Sequence, residues 1–320
     1  MKNIINYIFL WLAASILLGC SHKNPKNKQL IQNSEMTSKI SHKIATVNAI
    51  DIFYREAGDP NKPTILLLHG LPSSSHMFRN VMTSLADEYH LIAPDYPGFG
   101  FSEAPTIDEF EYSFDHISIL MEGFIDQMEL TSFYLLMQDY GGPIGMRIAT
   151  KRPEAIEGLI IQNANAYMEG LGEWSQKIGG FVQSEDFEGL MDYKNYLFSP
   201  EGIKAQYTTG AKNPKAIDPV SYLTDSAFMQ REGINTVQTA LFMDYGNNFP
   251  KYPEWQQYLK EKQPPTLILW GENDKFFRKE GALAYRKDLK NASIHLFESG
   301  HFMLEEYATE AVALIRNFIQ

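Results

Sequence analysis

The feature that most constrains the fold of this chain is the alternation, from residue 44 onward, of short apolar runs with helical patterns. Residues 64–68 (TILLL) and 90–93 (HLIA) are apolar runs of strand length with Pro or Gly close by. Residues 114–128 instead space their apolar side chains with a helical period. Uninterrupted apolar runs are typical of strands buried on both faces, as in parallel sheets. The sequence therefore predicts an α/β fold, a mostly parallel sheet with helices on both faces.

The remaining elements follow the same pattern. A hairpin is expected within residues 45–54, turning at Asn48-Ala49. Further strands are predicted at residues 133–137, 158–162, 265–270 and 293–297, and further helices at residues 140–151 and 302–319.

Residues 165–262 do not fit this alternation. The stretch lacks a comparable apolar run, is helix-like with Gly-Gly and Pro interruptions, and contains eight of the seventeen tyrosines. Because α/β sheets bind ligands at their strand ends, we interpret it as a helical cap inserted over that edge. The predicted organisation is an α/β core formed by residues 44–164 and 263–320, with the cap at residues 165–262.

The N-terminus has the features of a secretory signal. Lys2 precedes an apolar run over residues 8–18, which is too short to span a membrane. Leu17-Leu18-Gly19-Cys20 resembles a bacterial lipobox, and Cys20 is the single cysteine of the chain. We expect residues 1–19 to be a signal peptide, Cys20 to be lipidated, and residues 20–43 to form a flexible tether. The alternative is a plain signal peptide with a coincidental cysteine.

The predicted tether and the rest of the chain differ in net charge. The chain carries 28 Lys and Arg against 39 Asp and Glu, a net charge of −11, and residues 21–40 alone carry +3. An acidic body argues against nucleic acid as a partner. One cysteine excludes an internal disulfide and a multi-cysteine zinc site, and the histidines lack metal-ligand spacing. The expected location is the cell envelope, with the outer membrane slightly favoured because Ser21 follows Cys20.

A candidate nucleophile lies between the strand at 133–137 and the next helix, in Gln138-Asp139-Tyr140-Gly141-Gly142. A glycine two residues after the central position permits the sharp turn that presents a nucleophile above a sheet. An aspartate at the centre favours attack on saturated carbon through an ester with the enzyme. Taken alone, Asp139 could equally be a helix N-cap.

Three further motifs favour a catalytic role for Asp139. Asp274 follows the strand at 265–270, and His301 follows the last strand, so the order is nucleophile, acid, histidine. The backbone N–H groups of Leu71, in a His-Gly-Leu-Pro turn, and of Tyr140 can form an oxyanion hole.

These motifs together resemble the α/β-hydrolase fold group with an aspartate nucleophile, which includes haloalkane dehalogenases and epoxide hydrolases. The resemblance covers about residues 44–320 and includes the turn at 69–72, the segment at 95–102 (DYPGFGFS), the Asp139 elbow, residues 270–274 and Gly300-His301. It implies that Asp139 attacks carbon and that His301, oriented by Asp274, activates the water that hydrolyses the ester.

The chain differs from both haloalkane dehalogenases and epoxide hydrolases, and the differences favour different chemistries. Haloalkane dehalogenases usually place a tryptophan after the nucleophile and commonly an asparagine after His-Gly, whereas this chain has Tyr140 and Leu71. Epoxide hydrolases have His-Gly-x-Pro, as here, and protonate the opening oxygen with two cap tyrosines. Met137-Gln138, by contrast, resembles the dehalogenase pattern. The expected cap tyrosines are drawn from Tyr193, Tyr196, Tyr207 and Tyr222, and the expected pocket residues are His69, Gly70, Pro72, Trp174, Tyr193 and Tyr222.

The sequence thus predicts a hydrolase that opens a small apolar electrophile, an epoxide being favoured, without a metal or other cofactor. The first alternative is a haloalkane dehalogenase with the same ester mechanism. A remote alternative is a non-catalytic binding lipoprotein of the same fold. The oligomeric state stays open.

Overall fold

An eight-stranded sheet organises the protein, whose computed structural model describes residues 40–319. The strands lie in the order β1-β2-β4-β3-β5-β6-β7-β8. β1 and β2 are antiparallel to their neighbours, and β3 to β8 pair in parallel. Their bounds are β1 Ser41–Val47, β2 Ile50–Ala57, β3 Thr64–Leu68, β4 His90–Pro94, β5 Phe133–Gln138, β6 Ile156–Gln162, β7 Thr266–Gly271 and β8 Ser293–Phe297.

The predicted hairpin is confirmed. Val47 pairs with Ile50, and the two residues between them, Asn48 and Ala49, both have positive φ, at 49° and 65°. Two consecutive left-handed residues match the two-residue turn that suits the twist of antiparallel strands.

β1 begins at Ser41, earlier than the boundary predicted at residue 44. Residues 41–43 pair with residues 54–56 of β2, and Lys43 forms an ion pair with Glu56. An exposed edge strand needs no apolar side chains, so its polar start is indistinguishable in sequence from a linker. Three residues assigned to the tether therefore belong to the sheet.

The central strands are buried along their whole length. All five residues of β3 and of β4 are buried, as are all six of β7. The mostly parallel sheet is confirmed, and its parallel strands end at a common edge, where the loops after β3, β5, β7 and β8 meet.

Helices cover the sheet and join its parallel strands. α2 packs against α3, α1 against α11, and α9 against α3. The α-helices of the described chain are α1 Arg79–Leu85, α2 Phe114–Gln127, α3 Gly141–Lys151, α4 Glu173–Gln183, α5 Phe187–Leu197, α6 Pro200–Thr208, α7 Pro219–Met229, α8 Ile234–Asp244, α9 Tyr252–Lys262, α10 Lys279–Ala284 and α11 Leu304–Phe318. Shorter 3-10 helices lie at Ser75–Phe78, Pro153–Ala155, Met168–Gly170, Tyr245–Lys251 and Tyr285–Lys287.

α4 to α9 occupy the stretch between β6 and β7 for which the sequence predicts a cap. The last of them, α9, contributes Trp255, whose ring lies 5.5 Å from the guanidinium of Arg147 on α3. The assignment of residues 165–262 to a separate cap stays a prediction.

Between residues 40 and 319, no helix combines the length and apolar character needed to cross a membrane. The predicted signal peptide at residues 1–19 and the predicted lipidation site Cys20 lie outside the described residues.

Candidate active site

Asp139 occupies a left-handed backbone position between β5 and α3, with φ at 49°. Non-glycine residues adopt this conformation only rarely, and such strain is found where the surrounding structure imposes it. The turn is made possible by Gly141, because a Cβ there would overlap the carbonyl oxygen of Leu68 in β3. The elbow thus projects the Asp139 side chain beyond the end of the sheet.

Two backbone donors hold the Asp139 carboxylate. The N–H of Leu71 donates to Oδ1 at 2.8 Å, and the N–H of Tyr140 also hydrogen-bonds to the carboxylate. The loop that carries Leu71 approaches closely because Gly70 has no side chain; a Cβ at Gly70 would overlap Asp139. The two residues predicted to form an oxyanion hole therefore lie against the carboxylate itself.

His301 and Asp274 come together from the loops after β8 and β7. Nδ1 of His301 lies 2.7 Å from Oδ2 of Asp274, and its Nε2 lies 3.7 Å from Oδ2 of Asp139. Asp274 also accepts hydrogen bonds from Nδ2 of Asn163 and from the N–H of Phe276, each at 2.7 Å. The structure thus brings the three predicted residues into one buried cluster in which Asp274 orients the imidazole.

Gln138 belongs to the same cluster, although no motif in the sequence assigns it a role. Its Nε2 lies 3.0 Å from Nε2 of His301, while its Oε1 has no hydrogen-bond partner within residues 40–319. An amide N–H can donate only to an unprotonated ring nitrogen, so this contact fits a neutral imidazole with its proton on Nδ1, facing Asp274. Proximity to Asp139 in the sequence was the one available signal.

Burial shifts the protonation equilibria of this cluster. Desolvation raises the pKa of Asp139 to about 6, against the opposing effects of His301 and of the Leu71 and Tyr140 N–H groups. Desolvation lowers the pKa of His301, but the negative charge and hydrogen bond of Asp274, together with Asp139, outweigh it, and the net shift is upward. The Asp139 carboxyl therefore ionises as the pH rises through about 6, whereas the raised pKa of His301 keeps the imidazole protonated to a higher pH than usual, above which it is a neutral base.

A cavity of about 580 Å³ opens above Asp139. Asp139 is the only formally charged side chain among the described residues that line it. Most of the lining is apolar: Leu71, Met168, Leu171, Ile178, Val182, Phe187, Leu190, Leu197, Phe242, Met243, Phe249, Phe276 and Phe277. Such a cavity favours an apolar ligand.

Tyr245 also lines the cavity, although it is not among the tyrosines predicted from the sequence. Its ring lies 5.7 Å from that of Tyr140, which also lines the cavity, and its hydroxyl hydrogen-bonds with that of Tyr252. Burial raises the pKa of Tyr245 well above its ordinary value, so its hydroxyl is protonated at neutral pH. Nothing in the sequence around Tyr245 distinguishes it from the other cap tyrosines.

The aromatic residues predicted for the pocket do not line this cavity. Trp174 packs edge-on against Phe276, with ring centroids 5.0 Å apart. Tyr193 stacks with Tyr196 and lies under the Lys177 ammonium group, and Tyr222 packs against Tyr207. Trp174 thus contacts a residue that follows β7, and Tyr193 and Tyr222 contact residues of the helices between β6 and β7. Their role in binding a ligand stays a prediction.

Tyr207 is also excluded from the cavity. Its buried hydroxyl donates to Oδ2 of Asp225 at 2.5 Å, and its ring stacks on Phe302.

His69, Gly70 and Pro72 are likewise absent from the cavity lining, although they precede and follow Leu71, which does line it. The ring of His69 is buried and stacks on Tyr96, whose backbone N–H donates to its Nε2. The pocket role predicted for His69, Gly70 and Pro72 stays a prediction.

Residues 40–319 contain no group of three or more His, Cys, Asp or Glu side chains arranged to hold a metal ion.

A family model of the alpha/beta hydrolase fold matches residues 63–308, most of the chain. The chain belongs to the α/β-hydrolase fold family. It is a hydrolase, and among its relatives are haloalkane dehalogenases.

Three relatives show the range of proteins to which this hydrolase is similar. An uncharacterized hydrolase of Saccharomyces cerevisiae is 40% identical over 282 residues, 87% of this chain and 95% of the relative. A cis-3-alkyl-4-alkyloxetan-2-one decarboxylase of Shewanella oneidensis is 26% identical over 273 residues, 80% of this chain and 81% of the relative. A haloalkane dehalogenase of Bradyrhizobium diazoefficiens is 41% identical over 115 residues, 36% of each chain.

Among solved structures, a loop variant of a haloalkane dehalogenase from Bradyrhizobium elkanii superimposes with a TM-score of 0.64 at 21% identity. The match covers 88% of this hydrolase and 96% of that chain. At this identity the likeness shows the shared fold.

The raised pKa of Asp139 predicts a titration that can be observed directly. Asp139 takes up its proton as the pH falls through about 6, whereas an exposed aspartate does so near pH 4. In protein labelled with [γ-¹³C]aspartate, we expect one carboxyl resonance with a midpoint near pH 6 that is missing from Asp139→Asn. A midpoint at or below pH 4 for that resonance would contradict the described burial.

Proposed function

We propose that this hydrolase opens an electrophilic carbon of an apolar substrate through an alkyl-enzyme ester on Asp139, and that the substrate is an epoxide. The observation that carries this proposal is the Asp139 carboxylate itself, buried at the foot of an apolar cavity, with Oδ1 held by the Leu71 N–H and Oδ2 facing His301. A carboxylate so placed is suited to attack carbon.

In the first step, Oδ2 of Asp139 attacks a ring carbon and the carbon–oxygen bond of the epoxide breaks. The departing oxygen takes a proton from a phenol, for which Tyr245 is available in the cavity lining. The product of this step is an ester between Asp139 and a hydroxyalkyl group, with a phenolate left behind.

In the second step, His301 takes a proton from water, and the resulting hydroxide adds to the carbonyl carbon of the ester. The negative charge that develops on Oδ1 is stabilised by the N–H groups of Leu71 and Tyr140, which already contact the carboxylate. Collapse expels the diol, which takes its proton from the imidazolium. The proton of the restored Asp139 carboxyl returns to the phenolate, so that epoxide and water give diol without net change in the enzyme.

The leaving group decides between the two candidate chemistries. A departing halide is stabilised by N–H donors, and no tryptophan or asparagine lies among the described residues that line the cavity. The side-chain amides in the lining are those of Gln176, Gln183 and Gln206, of which Gln176 and Gln206 donate to backbone carbonyl groups. A departing alkoxide needs a proton, which a phenol supplies. The similarity to a protein named for its action on an oxetan-2-one, a strained oxygen-containing ring, also supports ring opening.

Haloalkane dehalogenation is the second candidate, favoured by the relatives that carry this name. It uses the same ester on Asp139 with halide in place of the ring oxygen. Epoxides, haloalkanes and a 3,4-dialkyl oxetan-2-one therefore belong in one substrate panel.

Trapping the ester tests the proposal. His301→Gln retains the nucleophile but removes the base, so we expect turnover to fall at least about 10³-fold while an adduct accumulates on Asp139 and is detected by mass spectrometry. His295→Gln, which replaces a histidine outside the cavity, is the matched control and should leave turnover unchanged. Diol formation measured beside halide release separates the two chemistries.

The proposed ester mechanism fails if wild-type protein turns over a substrate for which His301→Gln never accumulates an Asp139 adduct. An adduct that persists in Asp139→Asn protein would place the chemistry on another residue.

For the location, we propose a lipid anchor at Cys20 that holds the enzyme in the cell envelope, the outer membrane being favoured. The support is the lipobox-like Leu17-Leu18-Gly19-Cys20 sequence. Cells grown with radiolabelled palmitate should label the wild-type protein and not Cys20→Ala; equal labelling of the two would overturn the anchor.

A further inference from the structure

The cavity has an open apolar rim. Met168, Val182, Phe187 and Met243 all line the cavity, yet their side chains are 46% to 58% exposed. Exposed apolar side chains that cluster at one opening mark a place where an apolar partner or ligand lies. The rim therefore extends the apolar surface of the cavity outward to the solvent.

The charges around this opening favour an uncharged ligand. Lys, Arg and His are absent from the described residues that line the cavity. Phe187, on the rim, is flanked by Asp186 and Glu188. A ligand with a carboxylate would find no cation among the described residues that line the cavity and would share the cavity with Asp139.

Gly179 leaves a gap in the wall at this opening. It lies in α4, it is exposed, and it lines the cavity. A Cβ added at Gly179 would meet no atom within 4 Å. Close packing therefore does not account for the glycine, and the space that a side chain would fill is open to a ligand.

The neighbouring Gly180 provides the comparison. Its added Cβ would also meet nothing within 4 Å, but Gly180 does not line the cavity. The two glycines share the same helix, in which no residue is buried, so a change at either has a similar effect on helix stability. They differ in whether a side chain would reach the cavity.

We propose that the substrate carries an uncharged alkyl chain that leaves the cavity at Gly179, and that the missing side chain there sets the chain length accepted. This inference rests on the proposed function for the reaction at Asp139, and it adds the substrate class and a residue that determines specificity. A cavity of about 580 Å³ offers far more apolar surface than a small epoxide alone would cover.

Binding of 1-alkanols tests this inference, because alkanols have no electrophilic carbon and bind whether or not the enzyme turns over epoxides. Titration calorimetry with 1-butanol, 1-hexanol, 1-octanol and 1-decanol should show affinity rising roughly fourfold per added CH₂. Decanoate should bind at least about tenfold more weakly than 1-decanol, because burying an unpaired charge is unfavourable.

Gly179→Leu should bind 1-butanol like wild type and 1-decanol at least about tenfold more weakly, because the new side chain blocks the path of the longer chain. Gly180→Leu, the matched control, should bind both alkanols as wild type does. Gly246→Leu gives a second test, since Gly246 also lines the cavity with open space at its Cβ position. It should likewise weaken the longer alkanol.

Affinity that does not rise with chain length in the wild-type protein would overturn the inference. So would equal losses in Gly179→Leu and Gly180→Leu, or decanoate binding as tightly as 1-decanol. If alkanols follow the expected pattern but no epoxide or haloalkane reacts, the proposed function fails and the inferred chain path stands. If epoxides react equally well at every chain length and the alkanol affinities do not change with chain length, the proposed function stands and the inferred chain path fails.

Discussion

The structure of this hydrolase depends on how a buried carboxylate is stabilised at the Asp139 elbow. Taking a charged group out of water is costly unless hydrogen bonds or opposite charge compensate. Here the N–H groups of Leu71 and Tyr140 provide that compensation, and they are available because Gly70 and Gly141 allow two loops to approach closely. The compensation is partial, since the pKa of Asp139 still rises to about 6. A carboxylate that is charged but weakly solvated is a better nucleophile than one fully surrounded by water.

The same interaction connects the two halves of the proposed reaction. The Leu71 N–H that holds Oδ1 in the free enzyme is in position to stabilise the charge that would appear there when the proposed ester is hydrolysed. Asp274 accepts hydrogen bonds from Asn163 and from the Phe276 N–H, and in the proposed reaction it orients His301 toward the carbonyl carbon of the ester. Asp139 is thus the only charged side chain among the described residues that line the cavity, and most of the remaining wall is apolar.

The features that are encoded locally could be predicted from the sequence. The strands could be located because their apolar runs are continuous, and the Asp139, Asp274 and His301 motifs could be located because each follows a strand. Parallel strands end at one edge, so these motifs were expected to meet there, as the structure describes. The start of β1 was misplaced because an edge strand has no apolar signal.

The cavity lining was not predictable in the same way. Whether Trp174, Tyr193 or Tyr245 faces the cavity depends on how the helices between β6 and β7 pack against each other, and the abundance of tyrosine does not encode that packing. Gln138 was visible in the motif, but its contact with His301 depends on the position of a loop more than 160 residues further along the chain.

The source of the oxygen in the product tests the central claim most directly. In a single turnover with excess enzyme in H₂¹⁸O, attack by Asp139 predicts an alcohol or diol that contains unlabelled oxygen from the carboxylate, and one ¹⁸O atom in the Asp139 side chain, located by mass spectrometry of the peptide. If ¹⁸O appears in the product of the first turnover and Asp139 stays unlabelled, water attacks the substrate directly and Asp139 is not the nucleophile.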